Sequence, residues 1–221
     1  MGTKNQSGRR TYDAAHTKSL ILDAAKETFG SEGFSGARID AIAEASGYNK
    51  SLIYQYFGDK LALYTEVVKH ADKLGDLAMK AAFDQLLGEP VLDRGRFKTL
   101  LADVITLTLE FLFNHPRYLS ILFWEAAEEW KTWNSITYHP DDASKLHEVI
   151  EQAQSKGIIR ADFDPTLFLT FMMSMTAACI RFSHAFGGVW EMGDTKRQQE
   201  HLADQVCKFV LHGLLEPAAQ M

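Results

Sequence analysis

Residues 21–60, ILDAAKETFGSEGFSGARIDAIAEASGYNKSLIYQYFGDK, constrain the fold more than any other stretch of the chain. Ile21, Ala25 and Phe29 recur four residues apart with Leu22 and Ala24 beside them, the apolar stripe of an amphipathic helix. Gly33, after Ser31-Glu32, is placed to stop that helix. Ile39, Ile42 and Ala43 form the inward face of a second helix. Asn49 suits the N-cap of a third, whose inward face is Ile53 and Phe57. Gly58-Asp59 then ends the third helix and caps a longer one. Between the second and third helices, Ala45-Ser46-Gly47 makes a tight turn. Helices that cross closely need small residues at the crossing and a glycine where the chain reverses with positive φ. Ala43, Ala45 and Gly47 meet that need. A helix-turn-helix of this kind can lay its third helix in the major groove, so the stretch implies a DNA-binding head.

With Ile53 and Phe57 inward, Lys50, Ser51, Leu52, Tyr54, Gln55 and Tyr56 spread over the outer and flanking faces of the third helix. Gln55 can hydrogen-bond a base edge and Leu52 can meet a thymine methyl. Lys50, Tyr54, Tyr56 and Lys60 suit phosphates, which position a protein without specifying sequence. Arg38 and Asn49 complete the candidate DNA contacts. The competing reading makes Tyr54 and Tyr56 buried core aromatics. Their place after a glycine turn favours DNA contact.

The run Ile21-Leu22, Ala24-Ala25, Phe29, Gly33-Phe34, Ile39, Ile42-Ala43, Gly47, Ile53-Tyr54, Tyr56-Phe57 and Lys60 resembles the N-terminal domain of the tetracycline-repressor (TetR) family. The resemblance covers about forty residues. It departs from the family pattern at Ala37-Arg38, where Thr is usual, and at Tyr48, Asn49, Ser51 and Leu52. The missing Thr weakens the cap of the second helix and makes Arg38 a phosphate contact; the bulkier Leu52 implies a different base preference.

Composition narrows what remains. The chain has 221 residues, 46% of them hydrophobic, enough for a buried core in one or two domains. Five prolines and the lack of a sustained alternating pattern point to an all-α chain of about nine helices. The domains expected are a flexible basic tail at 1–16, the helix-turn-helix domain at 17–62, and a ligand-binding and dimerisation domain at 63–221. Two cysteines, Cys179 and Cys207, provide no disulfide framework, and no signal peptide is evident, so the cytoplasm is the expected compartment. The apolar run from Thr166 to Phe182 falls short of the ~20 residues that a membrane span needs and contains Arg181, so it reads as a buried helix.

The net charge of −6 argues against nucleic acid until its distribution is considered. Residues 1–60 hold eight Lys/Arg and seven Asp/Glu, whereas residues 61–221 hold fifteen and twenty-two. An acidic body behind a near-neutral head, with Lys4, Arg9, Arg10 and Lys18 near its start, would present that head to phosphates. The basic tail follows the duplex backbone, enters a minor groove, or only solubilises; the sequence leaves these open.

Beyond the head, residues 59–87 read as one long helix, and Phe97 to Phe113 as another, stopped at Asn114-His115-Pro116. Tyr118 to Trp133 reads as a separate helix. Asp141 or Asp142 caps a helix reaching Lys156, with Gly157 at its end. Asp164-Pro165 opens a helix to about Phe186, which Gly187-Gly188 breaks. Asp194 or Thr195 starts the last. In the TetR family the last two long helices pack with their copies in a second subunit. The resemblance therefore implies a homodimer, with Phe168, Leu202, Val206, Phe209 and Val210 as candidate interface residues.

Aromatic residues gather between 111 and 133. With the later Phe and Met residues they suggest an apolar ligand cavity lined by Phe111, Trp124, Trp130, Phe171, Met172 and Met175, against the plainer reading that such a stripe is core. Glu125, Glu128 and Glu129 beside the tryptophans would counter a cationic ligand or form a solvated helix face, and the solvated face is the favoured reading. No Cys/His spacing resembles a zinc site, no glycine-rich phosphate loop follows a strand, and no nucleophile motif occurs. No metal, cofactor or catalytic residue is expected.

The expectation is a ligand-responsive DNA-binding transcriptional regulator of TetR type. It would act as a repressor on double-stranded, palindromic DNA as a homodimer, and a small apolar or aromatic effector would release it. The alternative is a DNA-binding nucleoid or cell-division scaffold of the same fold with protein partners and no effector.

Overall fold

The computed structural model describes residues 6–86, 93–136, 141–183 and 195–215. Nine α-helices account for most of them: α1 (Gln6–Gly36), α2 (Ile39–Ser46), α3 (Lys50–Phe57), α4 (Lys60–Leu86), α5 (Arg94–Asn114), α6 (Pro116–Ala127), α7 (Asp141–Ser155), α8 (Phe168–Ser183) and α9 (Thr195–Leu214). An isolated antiparallel bridge between Ile159 and Leu215 is the sole β-pairing among the described residues. The all-α expectation holds. Two compact units emerge, Met1–Leu74 with Pro116–Tyr138, and Gly75–His115 with His139–Met221.

The first unit is built on α1. Ile21, Ala25 and Phe29 are fully buried, as their spacing predicts, and Ile42, Ile53, Leu63 and Val68 join them in the interior. Gly33 breaks α1 with φ 70 and ψ 177, and a last turn follows to Gly36. The glycine is required on two counts. Its φ is left-handed, and a Cβ built there would meet the Trp124 ring at 2.8 Å. Trp124 also donates its indole N–H to the Gly30 carbonyl at 3.1 Å, and Arg117 pairs with Glu27 at 2.5 Å. These contacts fasten α6 along α1. The division expected at 62/63 is therefore not the one the packing makes, because residues 116–138 join the head-bearing unit.

Two further expectations need correction here. Residues 1–16 are not a flexible tail throughout, because α1 already begins at Gln6; residues 1–5 lie outside the described residues. The helix from Tyr118 does not reach Trp133. It ends at Ala127, and Glu129 and Trp130 both adopt φ 58, which no α-helix accommodates. Trp130 donates its backbone N–H to the Glu125 carbonyl at 2.7 Å, which closes the turn.

The second unit packs around a stripe on α5. Phe97, Leu101, Ile105 and Leu109, at four-residue spacing, meet Ala203, Val206 and Leu214 of α9, Phe168 and Met172 of α8, and Ile150 and Ala153 of α7. Each Phe, Leu, Ile, Met or Val among them contributes roughly 1.5–3 kcal/mol when fully buried. Asp93 caps α5 by accepting from the Arg96 N–H at 2.9 Å. Asp164 accepts from the Thr166 N–H at 2.9 Å and, with Pro165, opens a 3-10 turn that leads into α8. The break expected at Gly187-Gly188 lies outside the described residues.

Helix α8 does not match the buried helix expected from its apolar run. Phe168, Met172 and Thr176 are buried, whereas Phe171 and Phe182 of α8 and Leu167 of the turn before it are exposed. Pro165–Phe182 is long and apolar enough to cross a membrane by length and composition alone, a test that core helices of other proteins also pass.

Candidate nucleic-acid interface

The reading head depends on two left-handed glycines. Gly47, at φ 74, returns its N–H to the Glu44 carbonyl and ends α2; Gly58, at φ 88, ends α3. Between them Asn49 is extended and its side-chain oxygen accepts from the Leu52 N–H at 2.9 Å. Asp59 does the same for Ala62 at 2.7 Å, starting α4. Caps of this kind satisfy backbone donors that the helix cannot, each worth about 1 kcal/mol. The expected turn Ala45-Ser46-Gly47 is tighter still, since Ala45 and Ser46 close α2 itself.

Helix α3 is divided by burial. Ile53 and Phe57 face the interior, whereas Lys50, Ser51, Tyr54 and Gln55 are exposed. Positions i, i+1, i+4 and i+5 share one side of a helix, so these four form a single outward strip. Leu52, Tyr56 and Lys60 flank it half-buried. Tyr54 is 44% exposed, which removes the core reading for that ring. Arg38 is the exposed, extended residue preceding α2 and makes no side-chain cap, as the missing Thr implies.

The cations of this face are held by neighbours. Lys50 Nζ lies 2.5 Å from Asp40 Oδ1. Lys60 Nζ sits 4.8 Å above the Phe34 ring, and Lys18 Nζ lies 5.2 Å from the centre of the Phe57 ring. Thr17 and Tyr48 hydroxyls are 3.4 Å apart, so α1 also touches the turn before α3. The pairings of Asp40, Lys18 and Tyr48 escape sequence reasoning because each partner lies 10 to 39 residues away, a separation that no local spacing encodes.

Comparison with known proteins fits this geometry. Residues 21–67 match the family model of bacterial regulatory proteins, tetR family, and residues 98–210 match that of the tetracyclin repressor-like C-terminal domain. The chain belongs to the tetR family. It is similar to the HTH-type transcriptional repressor NicS of Pseudomonas putida, 29% identical over 161 residues that span 71% of this chain and 72% of that protein. It is 36% identical over 116 residues to the HTH-type transcriptional repressor SCO4008 of Streptomyces coelicolor, across 52% and 53% of the two chains. A solved structure, the putative transcriptional regulator SCO4942 of Streptomyces coelicolor, shares the fold with a TM-score of 0.60 at 22% identity, covering 87% of this chain and 97% of that one. This tetR-family chain is a DNA-binding transcriptional regulator, and the scaffold reading gains no support from such relatives.

The candidate effector residues divide between the units. Trp124 and Trp130 belong to the first; Phe111, Phe171, Met172 and Met175 belong to the second. Trp124 is committed to Gly33 and Gly30, and Trp130 is exposed and packs edge-on against Trp133 at 5.9 Å. Met172 is core and Met175 packs against it, while Phe171 is 51% exposed.

The candidate dimer residues are also sorted. Phe168 and Val206 are buried in the core of their own unit, and Leu202 and Val210 pack against that core. Phe209 alone of the five is strongly exposed, at 72%. Phe168 and Val206 are therefore withdrawn from the interface. They fall on the inner sides of α8 and α9, a distinction that spacing alone could not make.

Glu125 departs from the solvated-face reading, whereas Glu128 is half-buried and Glu129 exposed. Glu125 is fully buried, accepting from the Tyr64 hydroxyl and the Trp133 N–H, each at 2.8 Å. Burial, reinforced by this carboxylate, pushes the Tyr64 phenol far up, so Tyr64 stays a donor. Among the described residues no cluster of His, Cys, Asp and Glu suited to a metal ion occurs.

Proposed function

We propose that the chain is a ligand-responsive repressor that binds a near-palindromic operator as a homodimer. The observation that carries the reading is the outward strip Lys50, Ser51, Tyr54 and Gln55, set on a helix capped at both ends and backed by Ile53 and Phe57. Gln55 reads a base edge, Leu52 meets a thymine methyl from the flank, and Arg38, Asn49, Lys50, Ser51, Tyr54, Tyr56 and Lys60 address the backbone. Two such heads would occupy major grooves roughly 34–36 Å apart.

The dimer is supported by apolar side chains that α8, the turn before it and α9 leave uncovered. Leu167, Phe171, Phe182 and Phe209 are large, apolar and exposed, and a second copy of the chain would cover them. Phe209→Asp is expected to shift the protein from dimer to monomer in sedimentation and to lower operator affinity at least tenfold; a persisting dimer would place the interface elsewhere. The effector is a small apolar or aromatic molecule that enters the second unit, whose buried cluster sets Phe97, Phe168 and Met172 among aliphatic side chains. It releases DNA only if it binds the non-binding conformation more tightly, since equal affinity for both states shifts nothing.

Selection of bound sequences from random duplex DNA tests the reading. A near-palindromic consensus is expected, and Gln55→Ala should lose discrimination between that consensus and mismatched sites by about tenfold, the worth of roughly 1.4 kcal/mol. Equal loss on both would remove Gln55 from readout.

A further inference from the structure

We infer that Asp40 is a specificity-determining residue, which holds Lys50 away from non-operator DNA and yields it only when α3 is in register. The inference rests on the reading of α3 as the DNA-reading helix, and it concerns a residue that contacts no base.

Lys50 is the first residue of α3, where the unpaired N–H groups of the helix make a cation unfavourable. Asp40 lies in the first turn of α2, where an anion is favoured, and the two side chains meet at 2.5 Å. The pair is open to solvent, at 49% and 70% side-chain exposure, so a phosphate can reach it. The other two lysines around the reading helix are held differently. Lys18 and Lys60 rest over aromatic rings, which leave their full charge to the surroundings. Lys50 is the one of the three that is neutralised by a carboxylate.

Binding without sequence preference comes from cations that replace the counterions of the phosphate backbone. A lysine already paired with an aspartate displaces no counterion unless the aspartate is released, and the released carboxylate then stands beside a phosphate of like charge. On random DNA nothing offsets that repulsion. On the operator, base-edge contacts from the same helix fix its position, and Lys50 can exchange Asp40 for a phosphate. Asp40 thereby weakens the wrong complex more than the right one, which is how repulsive elements generate discrimination.

The test measures binding of wild type, Asp40→Asn, Lys50→Ala and the double variant to a random-sequence duplex and to the selected operator, across a salt series. Asp40→Asn is expected to bind random duplex about three- to tenfold more tightly at low salt, with the log–log salt slope steeper by about 0.9. Operator affinity should rise less, so that the ratio between the two falls. In the Lys50→Ala background the same substitution should change random-duplex affinity less than twofold. An unchanged or weakened affinity of Asp40→Asn for random duplex overturns the proposal, as does an effect of full size without Lys50. A wild-type protein that binds neither duplex would instead refute the DNA-reading role of α3.

Discussion

Glu125→Ala should destabilise the protein by about 3–5 kcal/mol, the largest effect expected of any single polar substitution in the first unit. The carboxylate is fully enclosed and both of its oxygens are in use, one taken by the Tyr64 hydroxyl and the other by the Trp133 N–H. Truncation strands the Tyr64 and Trp133 donors, each costing roughly 1–3 kcal/mol where buried, and leaves a void where four heavy atoms stood. It also frees the turn after α6, in which Glu129 and Trp130 are held at φ 58, a conformation that costs non-glycine residues about 1–3 kcal/mol each. Glu125→Gln provides the contrast. Its amide oxygen keeps the Trp133 N–H, its amide nitrogen donates to Tyr64, and the phenol turns to accept. The loss there should be about 1 kcal/mol. Urea denaturation monitored by tryptophan fluorescence separates the two, because Trp124, Trp130 and Trp133 all lie in this unit. Equal, small losses for both variants would mean that water reaches the carboxylate.

Gly33→Ala is the second large effect, about 2–4 kcal/mol. A Cβ at position 33 meets Trp124 ring carbons at 2.8 and 2.9 Å, well inside contact distance. The ring cannot retreat freely, since its N–H is tied to the Gly30 carbonyl. Overpacking of this kind typically costs about 1–3 kcal/mol, and a left-handed φ adds about 1–2 kcal/mol for a residue with a side chain. Trp124→Leu relieves the clash while losing packing of its own. The double variant should accordingly be more stable than the sum of the single losses predicts, by at least about 1 kcal/mol. Additive losses in thermal unfolding would show that α1 and α6 do not meet at this glycine.

The backbone of the reading head was legible because the signals that shape its helices and turns are local. Glycine marks each reversal of φ, Asn49 and Asp59 mark the caps, and four-residue spacing marks Ile53 and Phe57. The same reasoning failed at Glu125. A run of three glutamates beside tryptophans reads as a solvated face, and only Tyr64, sixty-one residues earlier, makes one of them an interior residue. It failed again on α8 and α9, whose periodicity announces apolar stripes without saying which stripe its own chain covers. Phe168 and Val206 went inward and Phe209 stayed outside for reasons set by α5 and α7.

By itself the sequence determined that this protein is helical and which stretch forms its DNA-binding head, with that head's caps and turns, since those depend on neighbours within a turn or two. Tertiary structure alone decided that Asp40 holds Lys50, that Glu125 is enclosed, and which face of α8 and α9 is left for a partner. Burial and charge pairing are settled by whichever distant element arrives within a few ångströms, and spacing along the chain carries no record of that arrival.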